Sequence, residues 1–503
     1  MISLVFTNDK MKKAKNERVK KILTLSGGSL GREKKSYVRG QVVKKELKFS
    51  EAERVELSSG LYPGEEEKLT PFRDIKLEPV ANPEIYLEII DKAGNLVYQS
   101  VFYGDKNGFF KHEIEQKLKN GRYESRFFTQ AEVNLFHFTE TKIINDEHFI
   151  LTGKSKLTIL AENSNAIITT SDIDQTYLET PLDSIKGKVL TLFETPAEKK
   201  QISGMSELYQ SLRKNTSGYL SFISASPHFY RRSFFAKFRQ DRIESESLHL
   251  KYLKGTIQEL ASKFKDTFSS PSDFFKSGWE AKLHELKVSS GKYYRSLFDQ
   301  ISYKLSILLH NRIYHPTNSR EILLGDDTES DYLIYSLYQL IITGKLQGLQ
   351  LEQFLDSLEF NGKKAVTNRS AKMIKEYAAE CLKQHGEVNP VISVLINHTD
   401  HNQSQKKLYA NVQKVLPEIR ISTLKNFKLF VLADGALGFG AILHSQGILD
   451  AVSVFNIGKK ITTDERMDLS RISELFTNLD FLDLGGKTRK LLEKTLKHAM
   501  IHL

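Results

Sequence analysis

From about residue 36 to residue 162, apolar positions alternate with polar ones in short runs. Val38-Arg-Gly-Gln-Val-Val43, Glu84-Ile-Tyr-Leu-Glu-Ile-Ile90, Leu96-Val-Tyr-Gln-Ser-Val-Phe102, Gly121-Arg-Tyr-Glu-Ser-Arg-Phe-Phe128 and His148-Phe-Ile-Leu-Thr152 are the clearest. A period of two turns one side of each run inward, as a half-buried strand requires. Asp91-Lys-Ala-Gly-Asn95 separates two of these runs and reads as a hairpin turn. Short strands with regular turns predict a β-sandwich-like domain over 36–162. It contains no cluster of residues suited to catalysis, so binding or support is its expected role.

Near residue 165 the pattern changes to apolar strands separated by helical runs, which predicts a parallel sheet covered by helices. Ala166–Ser171, Tyr219–Ser224, Glu321–Leu324 and Val391–Asn397 are the expected strands. Asp331–Ile342 and Arg369–Gln384 are the clearest helices. The stretch 228–302 reads as a helical insertion. Beyond residue 400, Leu429-Phe-Val-Leu-Ala433 reads as a strand, followed by amphipathic helices at 465–477 and 486–500. The expected domains are a basic leader over 1–35, the β domain over 36–162, an α/β domain over 163–400 and an α/β extension of unassigned role over 401–503.

Composition narrows the class. Forty per cent hydrophobic and 27% charged residues fit a globular protein of two or three domains. The net charge of +11 favours anionic partners, namely phosphate esters, an anionic membrane surface or nucleic acid, without choosing among them. The basic run Lys10, Lys12, Lys13, Lys15, Arg18, Lys20 and Lys21 reads as a solvated leader or as a tether to anionic lipid. Cys381 is the only cysteine, which rules out an internal disulfide and a cysteine-based zinc site. No signal peptide and no transmembrane segment is expected, so a cytoplasmic protein, or one peripheral to a membrane, follows. Gly27-Gly28-Ser-Leu-Gly31 lacks the Lys-Ser/Thr ending of a phosphate loop.

Four segments carry candidate chemistry. Ala166-Ile-Ile-Thr-Thr-Ser-Asp-Ile-Asp-Gln-Thr176 ends a β-branched strand in Asp172 and Asp174, spaced so that one acid can attack an electrophile while the other handles a proton. Tyr219-Leu-Ser-Phe-Ile-Ser-Ala-Ser-Pro-His228 ends a second strand in Ser224 and Ser226. Their hydroxyls suit a phosphoryl oxygen or, alternatively, a helix cap. Lys304, in Tyr303-Lys-Leu-Ser-Ile-Leu-Leu309, is a compact positive charge able to neutralise a phosphoryl group. Arg320-Glu-Ile-Leu-Leu-Gly-Asp-Asp-Thr-Glu-Ser-Asp-Tyr-Leu-Ile-Tyr335 ends a third strand in an acidic loop. Asp326 and Asp331 suit Mg²⁺, or else cap the next helix. Two weaker clusters read as structural: His398-Thr-Asp-His401 as a polar loop, and Asp434-Gly-Ala-Leu-Gly-Phe-Gly440 as a site of close backbone packing.

The first of these, D-x-D-x-T after an apolar strand, is similar to the first motif of the haloacid dehalogenase (HAD) superfamily. Taken in order, Ser171-Asp-Ile-Asp-Gln-Thr176, Ile223-Ser-Ala-Ser-Pro227 and Leu324-Gly-Asp-Asp-Thr-Glu-Ser-Asp-Tyr-Leu-Ile-Tyr335 resemble the phosphatidate phosphatase catalytic-domain family of the actin-patch-protein type within that superfamily. That family reads S-D-I-D-D-T, S-x-S-P, an H-K pair and G-D-S-G-x-x-D-x-x-x-Y. Lys304 stands about a dozen residues before Pro316, as the family's lysine does before its proline, and Gly204 matches a family glycine. The departures are Gln175 for the usual third Asp, Tyr303 for His, and Asp327-Thr328 for Ser-Gly.

The resemblance implies a HAD-like doubly wound parallel sheet with a helical insertion, preceded by a β-sandwich domain. It implies Asp172 as nucleophile and Asp174 as general acid and then base. Ser224 and Lys304 would hold the phosphoryl group, with Thr176 and Ser226 in substrate binding. Asp172, Asp174 (in part through a backbone carbonyl beside it), Asp326 and Asp331 would hold Mg²⁺. The substrate implied is phosphatidate or a related lipid phosphate monoester. A soluble or nucleic-acid phosphate, and a vestigial binding or scaffold protein, remain open alternatives. Phe264, Phe268, Phe274, Phe275 and Trp279, flanked by lysines, read either as packing of a helical insertion or as an interfacial flap on anionic lipid.

Overall fold

The computed structural model describes residues 18–48, 55–61, 64–75, 77–130, 140–181, 190–216, 218–252, 291–328, 330–360, 363–364, 366–399, 404–415 and 429–465. The lysines at 10–15, the aromatic residues at 264–279, His401 and the helices expected at 465–477 and 486–500 lie outside them. The chain divides into two compact units. No helix among the described residues is long and apolar enough to cross a membrane.

The first unit takes in the described residues up to Glu162, together with Leu192–Glu198 and Phe229–Gln240. Its strands are β1 (Arg18–Leu25), β2 (Ser29–Arg32), β3 (Ser36–Lys48), β4 (Glu78–Pro79), β5 (Glu84–Ile90), β6 (Leu96–Tyr103), β7 (Phe109–Ile114), β8 (Gly121–Gln130), β9 (Thr141–Ile144) and β10 (Glu147–Leu160). One sheet runs β1-β3-β4 with β7 also on β3, and the other runs β2-β10-β8-β5-β6 with β9 on β10. Ile22, Val38, Val42 and Phe110 of the first sheet share one apolar cluster with Ile85, Leu87, Phe127 and Leu157 of the second. Alternation along each strand therefore delivers one apolar face per sheet, and removing those faces from water is what joins them.

Two boundaries differ from expectation here. The leader expected over 1–35 contains β1 and β2. Ile22, Leu23 and Leu25 are buried although lysines surround them, because β1 pairs with β3 along its whole length. The helix Arg231–Gln240, expected in the α/β insertion, belongs to the first unit. There Arg232 pairs with Asp74 at 2.7 Å and with Glu65, and donates to the Gly60 carbonyl at 2.9 Å.

The second unit holds a six-stranded sheet made of β11 (Ile167–Ser171), β12 (Tyr219–Pro227), β13 (Ser247–Lys251), β14 (Arg320–Asp326), β17 (Val391–Asn397) and β18 (Val431–Ala433). The short pair β15 (Glu359–Phe360) and β16 (Lys363–Lys364) stands apart from it. All six pair in parallel, in the order β13-β12-β11-β14-β17-β18. Parallel strands need covering on both faces, and their residues are accordingly buried in near-continuous runs. Numbered α1 to α8, the helices of this unit are α1 (Met205–Thr216), α2 (Gly291–Tyr314), α3 (Asp331–Ile342), α4 (Gly348–Ser357), α5 (Asn368–His385), α6 (Gln405–Val415), α7 (Gly435–Ser445) and α8 (Ala451–Glu465). α1, α7 and α8 pack together, as do α2, α3 and α5.

Two further corrections belong to this sheet. β13 is a strand inside the segment 228–302 that was expected to be helical. The expected edge at residue 400 falls within the fold. β18 extends the sheet beyond β17, and α8 packs on α1, where Asn215 donates to the Ser453 hydroxyl at 2.8 Å.

Candidate active site

The strand order reverses between β11 and β14: successive strands run outward from β11 through β12 to β13 on one side and from β14 through β17 to β18 on the other. Open parallel sheets build their sites at that crevice, beyond the carboxyl ends of the strands. β11 is fully buried and paired on both sides, with Ser171 opposite Leu324 of β14 and Phe222 of β12. Asp172 continues the ladder through its N–H to the Leu324 carbonyl at 2.9 Å, so its position is set by the sheet. Asp326 ends β14 one strand away. Asp331 opens α3, where the helix N-terminus favours negative charge.

Close approach of α3 to β14 depends on Gly325. A Cβ at that position would lie 2.6 Å from both Cβ and Oδ2 of Asp331. The Tyr335 hydroxyl, one helical turn further on, donates to the Leu324 carbonyl at 2.9 Å and fixes the same approach. Burial, with Asp331 nearby, pushes the Tyr335 phenol well above its ordinary range, so it remains a donor.

These elements bring Asp172, Asp326 and Asp331 together, each buried, with one carboxylate oxygen from each within 4.8 Å of the others. Lys304, on α2, enters the same cluster: its Nζ lies 2.6 Å from Asp331 Oδ1 and 3.2 Å from Asp172 Oδ1. Ser330, at the N-cap of α3, makes no capping bond, and the Asp331 carboxylate turns to the lysine. Three carboxylates and one ammonium meet in this cluster. Buried charge of that kind demands a counter-charge. Hard oxygen donors at this spacing suit a small divalent cation such as Mg²⁺, and the Asp331 Oδ2 atom makes no hydrogen bond among the described residues.

The Asp174 side chain is placed elsewhere. Its Oδ2 accepts from the Ser226 hydroxyl at 2.7 Å and the Ser224 hydroxyl at 3.2 Å, and its Oδ1 accepts from the Thr180 hydroxyl at 2.8 Å. The two serines singled out in the sequence therefore orient the second acid, and the Asp174 carboxylate stands outside the three-acid cluster. Thr176 is buried, and its hydroxyl has no hydrogen-bond partner among the described residues. The turn from Ile173 to Leu178, which carries Asp174, is tight: Tyr177 and Leu178 both donate to the Ile173 carbonyl, and Gln175 takes a φ of +57°.

Several contributing residues carry no motif signal. Thr180 is one. Thr328, at a position where the family has Gly, donates its N–H to Asp326 Oδ1 at 2.8 Å, and its hydroxyl does the same. Asp327 accepts from the Thr399 N–H at 2.8 Å and from its hydroxyl. Asn397 reaches the Gln175 carbonyl at 2.7 Å. Its place at the end of an apolar strand was the available sign. His398 contacts Asp434 at 3.0 Å, within the polar loop expected there.

Asp172 just beyond the central strand, faced by two more acids and a lysine at the sheet's switch point, defines a buried carboxylate site of the kind that α/β enzymes use. Residues 167–272 match the family model described as the phosphatidate phosphatase APP1 catalytic domain, so the resemblance read from the motifs is shown over that stretch. The matched stretch contains Asp172, Asp174, Thr176, Ser224 and Ser226, and ends before Lys304, Asp326 and Asp331. No curated protein matches the chain. Among solved structures, a CARDB domain of the PF1109 protein from Pyrococcus furiosus is 10% identical, with 29% of this chain and 96% of that one covered and a TM-score of 0.14. A β-glucuronidase from Ruminococcus gnavus is 8% identical, with 84% and 53% covered and a TM-score of 0.21, so the chain spans about half of that protein's length. A carbohydrate acetylesterase from Xanthomonas citri is also 8% identical, with 80% and 76% covered and a TM-score of 0.21. Likenesses at such scores carry no argument about fold or function.

Proposed function

We propose that the second unit is a HAD-like, Mg²⁺-dependent phosphatase that works through an aspartyl-phosphate and hydrolyses phosphatidate or a related lipid phosphate monoester. One observation carries this reading: Asp172, Asp326, Asp331 and Lys304 converge although about 150 residues separate the first acid from the last two. The family match over residues 167–272 supports the same chemistry, and lipid phosphate is the substrate class that the family name suggests.

In this mechanism an Asp172 carboxylate oxygen attacks phosphorus, the phosphorus–oxygen bond to the alcohol breaks, and the proton on Asp174 passes to the departing alkoxide. Asp174, now ionised, takes a proton from the water that attacks the acyl-phosphate and frees phosphate. Ser224 and Ser226 hold the Asp174 carboxylate, while Lys304 offsets charge on the phosphoryl oxygens and on Asp172. Asp172, Asp326 and Asp331 would hold Mg²⁺, which when bound offsets repulsion between the phosphate and these carboxylates. The sheet and α3 exclude water from the acids, which strengthens each of these interactions.

A substrate panel tests the reading: p-nitrophenyl phosphate, dispersed phosphatidate and a 5′-phosphorylated oligonucleotide, each with and without Mg²⁺. Mg²⁺-dependent release of phosphate, fastest from phosphatidate, is expected. Preference for the oligonucleotide or for p-nitrophenyl phosphate would transfer the activity to a nucleic-acid or soluble phosphate. Silence on all three would leave a vestigial domain.

A further inference from the structure

Residues 401–503, to which the sequence assigns no role, are tied to the catalytic turn through Asn397 of β17. Asn397 ends β17, with Asp326 of β14 opposite it on one side and Ala433 of β18 on the other. It is buried, and both ends of its amide are used. Nδ2 donates to the Gln175 carbonyl at 2.7 Å, and Oδ1 accepts from the Gly435 N–H at 2.9 Å, at the start of α7. A carbonyl on one side and an N–H on the other leave only one way round for the amide.

Gln175 is the residue between Asp174 and Thr176, and its φ of +57° is costly for a side chain of this kind. Such a conformation persists only where the surroundings fix it. Here the Gln175 side chain also donates to the Thr180 carbonyl, and the Thr180 hydroxyl holds Asp174. Asn397 grips the backbone end of this chain of contacts and Asp174 sits at the other end. Without the amide, the Gln175 carbonyl loses its side-chain donor, and the peptide after it is held only by the turn's own hydrogen bonds.

We infer that Asn397 is a positioning residue for Asp174, and that it does this by clamping the Gln175 carbonyl to the start of α7. The inference rests on the phosphotransfer reading and adds a specific dependence. It applies to the step in which the leaving group takes a proton, and therefore to poor leaving groups most of all.

The test uses the full chain with Mg²⁺ and two substrates, p-nitrophenyl phosphate and unsubstituted phenyl phosphate, whose phenolate is the poorer leaving group. Asp174→Asn serves as the reference. It must lose far more kcat on phenyl phosphate than on p-nitrophenyl phosphate if Asp174 is the general acid. Asn397→Ala and Asn397→Asp should show the same skew, losing on the order of 10- to 100-fold in kcat on phenyl phosphate and several-fold less on the nitrophenyl ester, with KM nearly unchanged. Asn397→Asp keeps an acceptor for the Gly435 N–H and removes the donor to Gln175, so it remains informative if the alanine variant folds poorly. Equal losses on the two substrates, or no loss in Asn397→Asp, would overturn the inference while leaving the phosphatase reading in place. An inactive wild type, or an Asp174→Asn variant without the skew, would instead remove the reading on which it rests.

Discussion

One seven-residue strand, β14, carries a buried charged cluster at each end, and the two differ in kind. At its amino end Glu321 accepts from the Tyr338 hydroxyl at 2.7 Å, from Arg312 at 3.4 Å and from His315 at 3.5 Å. Arg312 donates further to the Pro316 and Thr317 carbonyls and to the Ser319 hydroxyl. Charge there is matched and the hydrogen bonds are numerous. At its carboxyl end Asp326 stands with two other carboxylates beside Lys304. The same strand thus anchors one cluster built around an acid and its counter-ion and one in which three acids meet. The functional reading belongs to the second cluster, because three buried carboxylates gathered within reach of one another offer oxygen donors for a cation.

Substitution at the carboxyl end should give the largest contrast. Asp172→Asn is expected to abolish turnover in the panel assay. Its melting temperature should equal or exceed that of the wild type, because a repelling charge is removed. Full Mg²⁺-dependent activity in that variant would remove Asp172 as nucleophile. At the amino end the reverse is expected. Glu321→Gln leaves the buried Arg312 guanidinium without its counter-ion and should cost about 3–5 kcal/mol in urea unfolding, with kcat per folded molecule retained. A Glu321→Gln variant that is as stable as the wild type would break the comparison.

Mg²⁺ sharpens it further. At roughly 100 times its dissociation constant the ion should stabilise the wild type by about 2.7 kcal/mol, a gain that Asp326→Asn and Asp331→Asn should lack. Equal gains in all three proteins would place the ion elsewhere. Gly325→Ala forces a methyl group against Asp331 and should cost about 1–3 kcal/mol together with activity, since the two acids on either side must separate. Retained activity in that variant would show that the spacing of the acids is not critical.

The smallest effect is that of pH on the amino end. Burial lowers the His315 pKa, against an opposing pull from Glu321, so His315 is neutral in the folded protein at neutral pH. Burial acts to raise the Glu321 pKa, but the His315 hydrogen bond and the Arg312 charge outweigh it and hold the carboxyl below its ordinary value. Both groups bind protons more readily when unfolded. Stability should therefore fall as pH drops below about 6.5 through His315, and again below about 4.3 through Glu321. Glu321→Gln should remove the lower step, which melting curves across this range would reveal.

Much of this arrangement was readable in advance where local pattern and chemistry agree. β11, β14 and β17 announce themselves as apolar runs ending in polar residues, and Asp172, Asp326 and Asn397 stand where those runs stop. Other parts depend on partners far away in sequence. Ser247-Leu-His-Leu-Lys251 is too short and too mixed to be read as a strand, and becomes one only because β12 offers it an edge. β1 is masked by its lysines until β3 pairs with it. Thr180, Thr328 and Asn397 contribute through hydrogen bonds whose acceptors no spacing rule locates. The hydroxyls of Ser224 and Ser226 were legible as chemistry, but their partner, Asp174, was not.

The discontinuous course of the chain has a consequence for how the protein can be divided. Leu192–Glu198 and the helix Arg231–Gln240 belong with the β-rich unit although both lie beyond Glu162. A single cut after Glu162 would strand Glu65 and Asp74 on one fragment and Arg232 on the other, separating opposite charges that are buried together in the intact chain. The two units therefore cannot be traded between proteins as simple cassettes, and a protease acting at their junction would release two damaged pieces in place of two working ones.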